Sequence, residues 1–164
     1  MFAAYNQWAN RRICDAAAAL SQDEIERDVG SYFRSLIGTL NHLLVADRIW
    51  MKRFTGVGEA PTALDAIIHR DFGKLRKTRA QEDQRIVDWI SALNEQALNG
   101  RFTYITMTDM RTVSQRLAPA LAHFFNHQTH HRGQMHSILT ILGVPSVEID
   151  LIYFQRTEPG RAYA

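Results

Sequence analysis

Cysteine is almost missing from this chain: its 164 residues contain one, Cys14. That excludes a disulfide framework and any zinc site built on two or four thiolates, and it points to a reducing cytoplasm. Chain breakers are also few, with 4 Pro and 9 Gly, and they mark the helix ends noted below. Neither charge sign dominates. Nineteen Lys and Arg against 17 Asp and Glu leave a formal charge of +2, too balanced to imply a nucleic-acid or membrane partner. No stretch approaches the ~18 consecutive apolar residues of a spanning helix. The opening residues, Met1 to Trp8, lack the basic segment and apolar core of a signal peptide. The expectation is one soluble, cytoplasmic domain over residues 1–164, long enough to bury a core without staples.

Histidine is what the chain does have. Four of its seven, His123, His127, His130 and His131, fall within nine residues, and His136 follows closely. Around them the sequence is periodic in the helical sense. Phe2, Tyr5, Trp8 with Ala9, Ile13, Ala16 and Leu20 recur at three- and four-residue steps and predict a helix over 2–20. Ser21 to Glu24 reads as a cap-like turn. Residues 31–54 are apolar around most of their girth, as in a buried bundle helix, and Gly56, Gly58 and Pro61 end them in a loop. A short helical turn is expected near 63–69 and a third long helix over about 74–98, its basic first half forming a solvated face. Phe102 to Val113 is β-branched and aromatic and reads as a small hairpin or extended crossover. The last helix is expected over 114–142, with Pro119 in its first turns and Gly143 at its end. The fold class is therefore all-α: an antiparallel four-helix bundle with a long connection, carrying a minor β-hairpin, before the last helix.

On that last helix, Leu117, Leu121, Phe124, His131, Met135, Ile138 and Leu142 follow a core-facing seam. His127 and His131, four residues apart, bring their Cβ atoms to roughly 5–6 Å. Two imidazoles at this spacing can converge on one divalent ion. A third should come from a facing helix, and His42 sits among Leu40, Leu43, Leu44 and Val45 on an inward face. Hydrogen bonding in the core also accounts for a lone buried histidine; a pair on one seam plus a third opposite favours a metal. His69 lies near a loop, and His130 and His136 point to other faces.

Four segments carry a family resemblance. They are Tyr5-Asn6-Gln7-Trp8-Ala9-Asn10, then Thr39-Leu40-Asn41-His42-Leu43-Leu44 with Ala46-Asp47-Arg48-Ile49-Trp50, then Asn126-His127-Gln128-Thr129-His130-His131-Arg132-Gly133-Gln134, and the tail Asp150-Leu151-Ile152-Tyr153-Phe154. Together they resemble the DinB/YfiT superfamily, the damage-inducible DinB proteins, over nearly the whole chain. The resemblance implies a four-helix bundle, often a homodimer, with a divalent metal on His42, His127 and His131. Three imidazoles leave a position open for water or substrate and suit zinc or nickel alike. Relatives that use thiols imply a metal-dependent transferase or hydrolase acting with a low-molecular-weight thiol; the alternative is a non-catalytic metal-binding stress-response protein. Asp47 is a candidate to orient an imidazole or act as a base, with a surface ion pair as the plainer reading. Tyr5 and Trp8 are candidates to line the pocket, with core packing as the default. Cys14 reads as a small core residue, and Arg132 and Gln134 as interhelical or dimer hydrogen-bonders. An apolar tail at 151–154 adds surface that pairing would hide.

Overall fold

In the computed structural model of the chain every residue except Thr108 is described; Thr108 falls in the expected hairpin stretch and lies outside the described residues. Four long helices form the bundle: α1 (Phe2–Ala17), α3 (Leu36–Thr55), α4 (Phe72–Ser91) and α6 (Leu117–Ile141). Between and after them come α2 (Gln22–Glu26), α5 (Glu95–Asn99), strands β1 (Arg101–Ile105) and β2 (Thr112–Arg116), and α7 (Leu151–Gln155). Helices α1 and α3 each pack against both α4 and α6. Paired residues fix the directions. Asn10 with Asp83 and Asp15 with Arg76 set α1 antiparallel to α4, and His42 with His131 and Trp50 with His123 do the same for α3 and α6. The neighbours α3 and α4 run parallel, because the 56–71 connection travels back along the bundle before α4 begins.

Caps explain most of the boundaries. Ser21 and Glu24 close a reciprocal capping box on α2. Ser35 accepts from the Gly38 N–H to start α3, and Gly56, at φ 76°, ends it. Asp71 accepts from the Lys74 N–H, so α4 starts at Phe72 rather than near 74. The expected 74–98 helix is two. Asn94 caps α5 through Ala97 N–H at 2.9 Å, and the chain turns between the two helices. Residues 63–69 hold a single turn, Ala66 N–H to Ala63 O at 3.3 Å, where a short helical turn is expected. The hairpin is present: β1 and β2 pair antiparallel from Arg101 opposite Arg116 to Ile105 opposite Thr112. This pairing takes 114–116 out of the expected last helix, which starts at Leu117 with Pro119 in its first turn.

The main core gathers Ile13, Leu36, Leu40, Leu44, Leu75, Met135 and Ile138 from all four long helices. The tail does not stand off as free apolar surface. Phe154 is buried, its ring 5.9 Å from Tyr5 and 5.7 Å from Trp8, so α7 closes over α1. No described helix is long and apolar enough to cross a membrane.

Candidate metal centre

Three imidazoles meet between α3 and α6. His131 Nε2 lies 3.1 Å from both His42 Nε2 and His127 Nε2, and all three ligand atoms fall within 4.8 Å of one another. The other ring nitrogens decide what this closeness means. His42 Nδ1 is 2.8 Å from the Leu64 carbonyl, which can only accept, so Nδ1 carries the proton. His131 Nδ1 lies 2.7 Å from Gln134 Oε1, whose amide nitrogen faces His130 Nε2 at 3.3 Å, so His131 is protonated on Nδ1 as well. Both Nε2 atoms then face each other as bare lone pairs with no proton to share. A cation between them removes that repulsion. For bonds of 2.0–2.1 Å, ligand nitrogens around one ion stand roughly 2.9–3.4 Å apart, and the two short edges fit. The residues present fit a divalent metal.

Electrostatics point the same way. Burial pushes His127 down to about 3, helped by the neighbouring His131 and His42, and burial likewise holds His131 at about 4. His42 is also lowered by burial, with the Leu64 carbonyl pulling the other way. All three are neutral near pH 7, the form that donates to a metal.

A sequence profile of the DinB family matches residues 1–161. The chain belongs to the DinB family. Among curated proteins it is similar to Protein DinB of Bacillus subtilis (strain 168), 27% identical over 168 residues that span 94% of this chain and 93% of that one. Among solved structures, a DinB-like protein from Bacillus cereus ATCC 10987 superposes with a TM-score of 0.64 at 17% identity, covering 87% of this chain and 89% of that one. At that identity the likeness is one of fold.

The DinB-family bundle places its histidines through contacts that periodicity alone does not reveal. Asn41, fully buried, accepts from the Ile68 and His69 N–H groups at 2.8 and 3.0 Å and donates to the Ile37 and His69 carbonyls at 2.8 and 2.9 Å. It fastens the 56–71 connection against α3, the connection that carries the Leu64 carbonyl over His42. Gly38 does similar work on the other side. A Cβ there would stand 2.1 Å from the Phe33 carbonyl, so only glycine lets the chain fold back onto α3. Phe33 then stacks on His42 at 3.9 Å between ring centres and meets His131 edge-on. A buried Asn and a Gly inside an apolar helix, flanking a histidine, were the available signals. Beyond these rings opens a cleft of about 790 Å³ that reaches His42 and His131.

The remaining candidates sort differently. The core-facing position beside His131 is Gln128, fully buried, while His127 flanks it half-buried. Asp47 is buried too, but its carboxylate accepts from Gln128 and pairs with Arg79 at 2.5 Å instead of meeting an imidazole or a surface cation. Burial raises Asp47 to about 6, against the pull of Arg79. Arg79 is no part of a solvated face. It is 3% exposed between Asp47 and Asp83, and although burial disfavours its charge, those carboxylates hold it protonated. Tyr5 and Trp8 belong to the core under α7, where the Tyr5 hydroxyl donates to the Ile149 carbonyl at 2.8 Å. Cys14 is buried and its thiol is pushed up to about 12, chiefly by burial. Arg132 donates to Asn6 across α1 and α6 as an interhelical bond, whereas Gln134 reaches back to His131 on its own helix. His69 bonds Thr78 at 2.9 Å and His136 bonds Ser146 at 3.0 Å, both apart from the triad.

Proposed function

We propose that this DinB-family protein holds one divalent ion, zinc or nickel, on His42, His127 and His131. The ion's open position would serve a transferase or hydrolase reaction with a low-molecular-weight thiol or water. The observation that carries this reading is the pair of bare Nε2 lone pairs 3.1 Å apart at the end of a 790 Å³ cleft. When bound, such an ion supplies a Lewis acid that favours the deprotonated form of a bound thiol or water. The chain's own residues prepare the site. Leu64 and Gln134 fix which nitrogen of His42 and His131 is free. Phe33 shields one face of His42, and burial keeps the three rings unprotonated.

One observation favours the non-catalytic alternative of a metal-binding stress-response protein. The candidate base Asp47 is engaged by Arg79 and Gln128. The two readings part on access. Cobalt-substituted protein, titrated with thiols and small anions, should change its visible spectrum if the position is open. A spectrum indifferent to all of them overturns the enzyme reading, and metal content well below one ion per chain overturns both.

A further inference from the structure

The cleft above the histidines is walled by Tyr32, Phe33, Leu64, Ile67 and His130, and among the described residues lining it Arg34 is the one Lys or Arg. Arg34 sits at φ 69°, in the left-handed region that glycine occupies freely and an arginine does not. Its tight turn is closed by Ser35 N–H to the Phe33 carbonyl and by Arg34 N–H to the Ser31 carbonyl, both at 2.8 Å. That turn seats Phe33 on His42, and a glycine would make it with less strain.

The Arg34 side chain is 80% exposed, yet it is aimed: Nε and Nη2 both reach Asp28 Oδ2, at 3.0 and 2.7 Å. Asp28 is itself held by the Gly30 N–H at 2.9 Å. This braces one edge of the guanidinium and leaves Nη1 without a partner among the described residues. An arginine fork presented this way matches a carboxylate. Asp65, the carboxylate lining the same cleft, disfavours a second negative charge, so a small monocarboxylate fits best.

We propose that Arg34 is the specificity-determining residue of this cleft, engaging the carboxylate of a small thiol whose sulfur lies toward His42 and His131. This rests on the thiol reading of the metal site. The test compares 3-mercaptopropionate with its neutral amide, 3-mercaptopropionamide, on the full-length cobalt-substituted protein, wild type and Arg34→Gln and Arg34→Gly. One charge-assisted contact to an exposed guanidinium predicts about a two- to fivefold preference for the carboxylate in the wild type. Both variants should bring the ratio close to one, with metal content and amide affinity unchanged, and Arg34→Gly should melt no lower than wild type. A preference that survives in both variants, or none in the wild type, overturns the assignment of Arg34 while leaving the thiol site standing. Loss of metal in both variants also overturns it, by making Arg34 a support of the histidines. No spectral response to either thiol overturns the thiol reading and Arg34's role together.

Discussion

At the scale of residues, the triad and its supports separate cleanly by what they touch. His127→Ala and His131→Ala should each abolish metal retention, measured as ions per chain, whereas His136→Ala should retain the full complement because its partner is Ser146. Gln134→Ala should keep the metal but weaken its affinity about 10–100-fold, as loss of an orienting hydrogen bond does. The three clustered histidines were legible in the sequence: a four-residue histidine spacing and an inward histidine on an apolar helix suffice to nominate them. Their supports were much harder to read. Nothing about Gln134 distinguishes a bond to His131 from one across an interface, and the Leu64 carbonyl has no side-chain signature at all. Asp47 shows the limit from the other side. Its spacing from His42 invited a role at the metal, and only the buried Arg79 on another helix explains where its carboxylate goes.

Among elements, the joint between α3, α4 and α6 matters most. Arg79 on α4 pairs with Asp47 on α3, and Asp47 accepts from Gln128 on α6, one residue from His127. Removing one partner of a buried pair strands the other, so Asp47→Ala should cost about 3 kcal/mol in chemical denaturation, the low end of the usual range because Asp83 still faces Arg79 at 3.1 Å. Gly38→Ala forces a Cβ into the Phe33 carbonyl, and overpacking of this kind costs roughly 1–3 kcal/mol. The four long helices and the hairpin were readable from periodicity and β-branched content. The break at 92–94 and the true start of α6 were not, because Asn94 capping and strand pairing override a continuous apolar pattern.

For the whole molecule, pH is the first lever. In the metal-free protein the imidazoles of His127 and His131 titrate near 3 and 4 when folded, below their ordinary value, and His42 is lowered too. The unfolded chain therefore takes up protons first, and stability present above about pH 6.5 is lost as pH falls toward 4. Asp47, raised to about 6, and Asp83, also raised by burial, oppose this because the folded state protonates them first. Melting temperature against pH, with and without zinc, checks the sign; added zinc should lift the curve most above pH 6.5. Assembly is the second. With Phe154 of α7 buried against α1, an apolar surface available for pairing is the groove lined by Phe2, Ile90, Leu93, Leu98, Leu121 and Phe125, where Phe2 remains 48% exposed. We expect a two-fold homodimer through this face, and Phe2→Asp should shift its light-scattering mass toward the monomer. A monomer throughout the micromolar range in the wild type would rule the assembly out.

The hydrogen bonds from His42 and His131 to Leu64 and Gln134 reach further than orientation. With two lone pairs aimed before any ion arrives, and with neither thiolate nor carboxylate among the three donors, the site imposes almost no chemical taste of its own. Imidazole sets of this kind follow the general order of divalent affinities, in which copper and nickel compete well against iron and manganese. Any metal bound by the proposed site would then be a record of what its surroundings supplied. Protein grown on media that differ only in trace-metal content should emerge with different ions in the same three-histidine seat.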